Sequence, residues 1–95
     1  MNHTDLIACI AELSALRYTP AGLPALDLML EHSSQQQEAG HPRQVSLKIR
    51  ALALGTQAER LSRQPVGSQW RFQGFLATPR QGRSVVLHIQ EFQQD

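Results

Sequence analysis

Between clusters of turn-forming residues, this chain repeatedly alternates apolar and polar side chains with a period of two. That pattern restricts it to sheet with one buried face. Leu26, Leu28 and Leu30 fall on one side with Asp27, Met29 and Glu31 on the other, and Val45, Leu47 and Ile49 alternate with Ser46, Lys48 and Arg50. Trp70, Phe72, Gly74 and Leu76 alternate with Arg71, Gln73 and Phe75, and Val85, Leu87 and Ile89 with His88 and Gln90. Each stretch is bounded by residues that cannot extend a strand: Thr19-Pro20-Ala21-Gly22-Leu23-Pro24, Pro65-Val66-Gly67-Ser68 and Thr78-Pro79-Arg80-Gln81-Gly82-Arg83. Proline lacks the donor that a ladder needs, and glycine readily takes positive φ.

Three segments carry weaker patterns. Residues 6–16, rich in Ala and Leu, favour helix by propensity while their length suits either form; they are assigned to the first strand. Gln57-Ala58-Glu59-Arg60-Leu61 predicts a short helical turn with Thr56 as its N-cap. Residues 33–43 hold no apolar side chain larger than Ala39, so burial cannot offset the entropy of ordering them. A long mobile loop is expected there, with Gln35-Gln36-Gln37 at its solvated tip. Five short strands with a helical turn between the third and fourth are the element order of an all-β OB-fold barrel, spanning residues 1–95 as one domain.

At 95 residues the chain supports one core but no deep cleft between lobes. Cys9 has no partner, which excludes an internal disulfide or a multi-Cys zinc site and suits a reducing compartment. No stretch approaches the apolar length of a membrane span, and Met1–Asp5 lacks the basic and apolar regions of a signal peptide. A cytoplasmic protein without membrane partners is expected.

Charge is segregated. Residues 1–42 carry one cation, Arg17, against five carboxylates, whereas residues 43–83 carry eight cations against Glu59 alone. Clustered cations point to an anionic partner, with a phosphate backbone the commonest candidate. In an OB barrel nucleic acid lies across strands two and three, bracketed by the loops joining strands one to two and four to five. Those places hold Arg17 and Tyr18, then Lys48 and Arg50, then Arg80 and Arg83, with Arg43 as a further contact on the mobile loop. Tyr18 suits stacking on a base and capping a barrel end equally, while Trp70 shares the core face of Phe72. His32, His41 and His88 have neither ligand spacing nor Cys partners, and Glu31, Glu38 and His32 lack a nucleophile motif beside them. No catalytic residue, metal or cofactor is therefore expected, and the protein is read as a binding module rather than an enzyme.

Arg17-Tyr18-Thr19-Pro20-Ala21-Gly22-Leu23-Pro24, Leu30-Glu31-His32-Ser33, Glu38-Ala39-Gly40 and Arg43-Gln44 resemble the bacterial primosomal replication protein N (PriB) family. Val66-Gly67-Ser68, Gln73-Gly74-Phe75-Leu76 and Val86-Leu87-His88 continue the resemblance in the same order. It implies a homodimeric OB fold that binds single-stranded DNA. It also implies partnership with a primosomal helicase and other primosome proteins in replication restart, in the bacterial cytoplasm, associated with the nucleoid at replication forks. Aromatic residues often flank the Arg-Gln pair in that family, whereas His41 and Ser46 stand here. DNA affinity is accordingly expected to be mostly electrostatic. The alternative is a protein-interaction adaptor of the primosome with weak or vestigial DNA binding.

Overall fold

A computed structural model describes residues 1–95. The elements run β1 (Thr4–Leu13), β2 (Arg17–Tyr18), β3 (Pro24–Glu38), β4 (His41–Leu54), α1 (Thr56–Ser62), β5 (Gln69–Ala77) and β6 (Val86–Gln93). The five long strands lie in the order β1-β5-β6-β4-β3, and β1 pairs again with β3, so the sheet closes on itself. Only β4 and β6 run parallel. The closing strand divides its length: Thr4–Cys9 pair with β5, and Cys9–Leu13 pair with β3 across a bulge between Ile10 and Glu12. Ile10, Leu26, Leu30, Phe72 and Leu87 fill the interior completely, and α1 adds Ala58 and Leu61. This is the all-β OB barrel anticipated from the alternation, with the short helix between the third and fourth long strands. No helix is long and apolar enough to cross a membrane.

Several expectations are corrected. Residues 33–43 are not a mobile loop: β3 and β4 stay in register out to Glu38 opposite His41, closed by Ala39 and Gly40 at φ 53° and 79°. Two consecutive positive φ values are the signature of a two-residue turn that matches strand twist. The arms need no core because they satisfy one another's backbone groups, a saving that a burial argument overlooks. The first strand occupies Thr4–Leu13, ending before Ser14, and the last runs on to Gln93. A sixth, two-residue strand, β2, pairs with Pro24 and Ala25. The N-cap falls on Gly55, not Thr56, with no side-chain capping bond. Gly55 stands at φ 69°, a conformation glycine adopts without strain.

Side chains reinforce the closure. The Ile7 carbonyl accepts from His32 Nδ1 at 2.6 Å, and in the neutral ring Nε2 then accepts from the Ser34 hydroxyl at 2.7 Å. Trp70 packs edge-on to Phe92 with centroids 5.1 Å apart and donates to Ser68 Oγ, while the Arg60 guanidinium covers the Phe92 ring at 4.6 Å. Trp70 thus belongs to the core margin. Outside the barrel Arg71 Nε donates to Asp5 Oδ1 at 2.8 Å, and hydrogen bonding from that guanidinium lowers the Asp5 pKa from 3.8 to about 2. The folded chain therefore keeps Asp5 ionised where the unfolded chain protonates it. The pair's stabilisation is present above the ordinary carboxylate range and is lost as pH falls toward 2.

At the β5–β6 bulge, a Cβ on Gly74 would stand 1.8 Å from the backbone oxygen of His88. Backbone cannot yield as a flexible side chain can, so Gly74→Ala should destabilise the protein by about 1–3 kcal/mol or more. A urea midpoint lowered at constant slope is the expected result.

Candidate nucleic-acid interface

The alternation of β4 turns Ala51 and Ala53 inward, leaving Ser46, Lys48 and Arg50 outward on one face. Opposite them on β3 stand Ser33, Glu31 and Met29, also outward. Arg50 lies beside Val86 at the start of β6, where the β5–β6 loop brings in Pro79, Gly82, Arg83 and Ser84. The result is an open groove of about 610 Å³ whose other walls include Glu12, Asp27 and Met29.

The structure sorts the six cations among the seven residues singled out from the sequence into two groups. Arg50 and Arg83 share this groove, and Arg80 sits exposed in the same loop. None of the three forms an ion pair. Arg17, Arg43 and Lys48, in contrast, are each matched to a carboxylate of the same chain. Arg17 donates from Nε and a terminal nitrogen to the two Asp27 oxygens, at 2.8 and 3.2 Å. Arg43 reaches Glu38 at 2.8 Å, and Lys48 Nζ reaches Glu31 at 3.2 Å.

The hydrogen bonds that Arg17 donates to Asp27, then the charge of that carboxylate, raise the Arg17 pKa above its already high ordinary value. The pair is half-exposed, at 52% and 50%, so solvent screens it and it resembles surface pairs worth about 0–1 kcal/mol. A strong external anion can compete for such a cation.

Arg43 is not part of the cluster, since it stands seven positions along the strand from Arg50, about 23 Å at the usual rise. Lys48 faces a second groove, of about 820 Å³, that also includes Ile7, Cys9, Glu31, His32, Ser46, Leu47 and Asp95. Arg17 adjoins the first groove through Asp27. Tyr18 beside it is 65% exposed, so its ring does not close the barrel end.

The contributors that sequence reasoning missed are the carboxylates. Alternation placed Asp27 and Glu31 on the outer face of β3, but only the register shows Glu31 directly opposite Lys48. Glu12 enters by way of the bulge in β1, for which the sequence offers no signal. Chemically, the groove presents two unpaired guanidinium groups, the Glu12 and Asp27 carboxylates, backbone and hydroxyl groups, and no cluster of metal-ligating side chains. The unpaired guanidinium groups can attract an anion, and no group is arranged to activate one.

Comparison with known proteins agrees with this geometry. A family described as "another single-strand binding protein family" matches residues 2–91. A replication restart protein PriB of Bordetella pertussis is 50% identical over 92 residues, covering 96% of this chain and 86% of that protein. The solved PriB structure from Ralstonia solanacearum superposes with a TM-score of 0.91 at 37% identity, covering 99% and 97% of the two chains. A single-stranded DNA binding protein from Thermus aquaticus gives 0.79 at 26% identity, covering 98% of this chain and 49% of that one.

Proposed function

The chain belongs to the single-strand binding protein family that includes the PriB replication restart proteins, and from that premise we propose a specific division of labour on its surface. The protein is a binding protein and not an enzyme. It acts as one OB-fold domain over residues 1–95, an accessory of the replication-restart primosome that holds single-stranded DNA. Arg50 and Arg83 grip phosphates in the groove, Arg80 extends the track along the loop, and Arg17, Lys48 and Arg43 are reserve contacts that their carboxylates withhold from phosphate. Tyr18 offers its exposed ring at one end. The observation carrying this reading is the meeting of Arg50 and Arg83, from a strand and a distant loop, in one groove without ion-pair partners.

A second reading, a primosome adaptor with weak DNA binding, draws support from the three cations already paired to carboxylates. Titration of a labelled oligo-dT across a salt series separates the two. Three unpaired arginines predict a slope of log K against log salt near −2, at roughly −0.7 per phosphate for single strands. Arg50→Ala with Arg83→Ala should weaken binding and flatten the slope by about 1.4, whereas Glu31→Gln should release Lys48, tighten binding and steepen it by about 0.7. A flat slope in the unmodified protein would favour the adaptor.

The helicase partner of the primosome is placed on the same track, around Arg80 and Arg83. Excess single-stranded oligonucleotide should then displace a restart helicase from the protein, and undiminished helicase binding would separate the two surfaces.

A homodimer completes the proposal. Thr4–Ala8 of β1 have ladder partners only in β5; along their other edge β3 has diverged, and there the His32 side chain occupies only the Ile7 carbonyl. Beside that edge Ile7 and Leu47 are exposed large apolar side chains within the second groove. Exposed edges invite strand pairing, and a second copy would cover both edge and apolar surface. Sedimentation at micromolar protein should report twice the chain mass, and Ile7→Asp should shift the protein toward monomer.

A further inference from the structure

On the outer face of the sheet stands an aromatic pair that the core does not use. Phe75 lies between Gly74, which is buried, and Leu76, which packs against the core, so its own ring faces out. It is in register with His88, which stands between buried Leu87 and Ile89 and also faces out. The two half-buried rings are stacked, with centroids 4.7 Å apart and planes 10° from parallel.

Register fixes what surrounds them. His88 is beside Leu52 of β4, and Leu52 is beside Asp27 of β3, the partner of Arg17. Two residues along each strand, the same face carries Ala77, Val86, Arg50 and Met29, the last three of which line the groove. Two rows therefore cross the strands about 6.6 Å apart. One contains the unpaired Arg50, and the other contains Phe75, His88, Leu52 and the Asp27–Arg17 pair.

We infer that Phe75, His88 and Leu52 form a base-stacking subsite for the single strand whose phosphates Arg50 and Arg83 hold. The inference rests on the reading of that groove as the DNA track. It supplies, close to Arg50, aromatic surface that Ser46 lacks and that His41 carries only at the distant tip of the β3–β4 hairpin. Bases stack on Phe and on His, and stacking tolerates any sequence because every base has a π-face. The setting favours a nucleobase over a protein partner. On its far side the patch is bounded by Gln73, hydrogen-bonded to Asp5, and by the Asp5–Arg71 ion pair. The aromatic surface is limited to two rings, flanked by Leu52 and interrupted on the neighbouring row by the charged Arg50, an extent that matches one or two bases and falls short of a stable protein interface.

Two measurements test it. In protein labelled at His and Phe, adding oligo-dT should shift the His88 and Phe75 ring resonances by ring current, saturating with the binding curve. An abasic strand of equal length should leave them nearly unmoved. Phe75→Leu with His88→Gln should lower oligo-dT affinity at least about fivefold. The salt slope should stay the same, since no phosphate contact is lost, and binding of the abasic strand should be unaffected. Ring resonances unmoved at saturation, or a double variant within twofold of the unmodified protein, would overturn the inference. If Arg50→Ala with Arg83→Ala still weakened binding in that case, the DNA track itself would stand. Failure of the unmodified protein to bind oligo-dT would overturn both, and resonances that move with protein concentration instead of DNA would make the patch a contact between copies.

Discussion

Closure of the barrel through β1 is the constraint from which the surface follows. One strand must satisfy β5 along its first half and β3 along its second, and the bulge between Ile10 and Glu12 is where it changes partners. Once the ring is closed, every strand has a fixed inner and outer side, because side chains alternate and a slip of one residue would exchange the faces. Phe72, Leu87 and Ile10 inside thereby dictate Arg71, His88 and Cys9 outside. Gly74 lets β5 approach β6 closely at the bulge, and the row of outward residues beyond it depends on that approach.

The outer face carries more charge than it shows at a distance. Acidic residues from β3 lie against cations of β4 and β2, so part of the positive charge is compensated within the chain. Of the cations left uncompensated, Arg50, Arg80 and Arg83 sit where β4 meets the β5–β6 loop, and Arg60 and Arg63 lie at α1. Ion pairs this exposed contribute little to folding. Their main effect is to keep long cationic side chains oriented while moderating how tightly a polyanion is held.

Much of this architecture is legible in the residues. Leu26, Leu28, Leu30 and Val45, Leu47, Ile49 announce two paired strands, and Thr19 to Pro24 announces the turn before them. The cations of the groove are legible too, once an OB order is assumed. What the residues did not disclose has identifiable causes. The arms of the β3–β4 hairpin are polar, so they have no hydrophobic signature, yet their backbone groups satisfy each other. Ala39 at positive φ replaces the Asn or Asp that usually marks such a turn. The pairing of Lys48 with Glu31 and the neighbourhood of His88 are properties of register across strands distant in sequence. The stacking partner of Phe75, 13 positions away, is of the same kind.

The β3–β4 hairpin runs well past the barrel, and its arms beyond Ser33 and Ser46 contain no buried residue. Such a ribbon is tied to the rest of the molecule only at its root, so its length is free to drift without disturbing the core. The pleat nevertheless sets a parity rule. One residue added to both arms leaves the ladder intact but turns the tip over, whereas two added to both restore the original facing. Among relatives, reach along this arm should therefore change in even steps wherever the orientation of its end matters, and in any step where it does not.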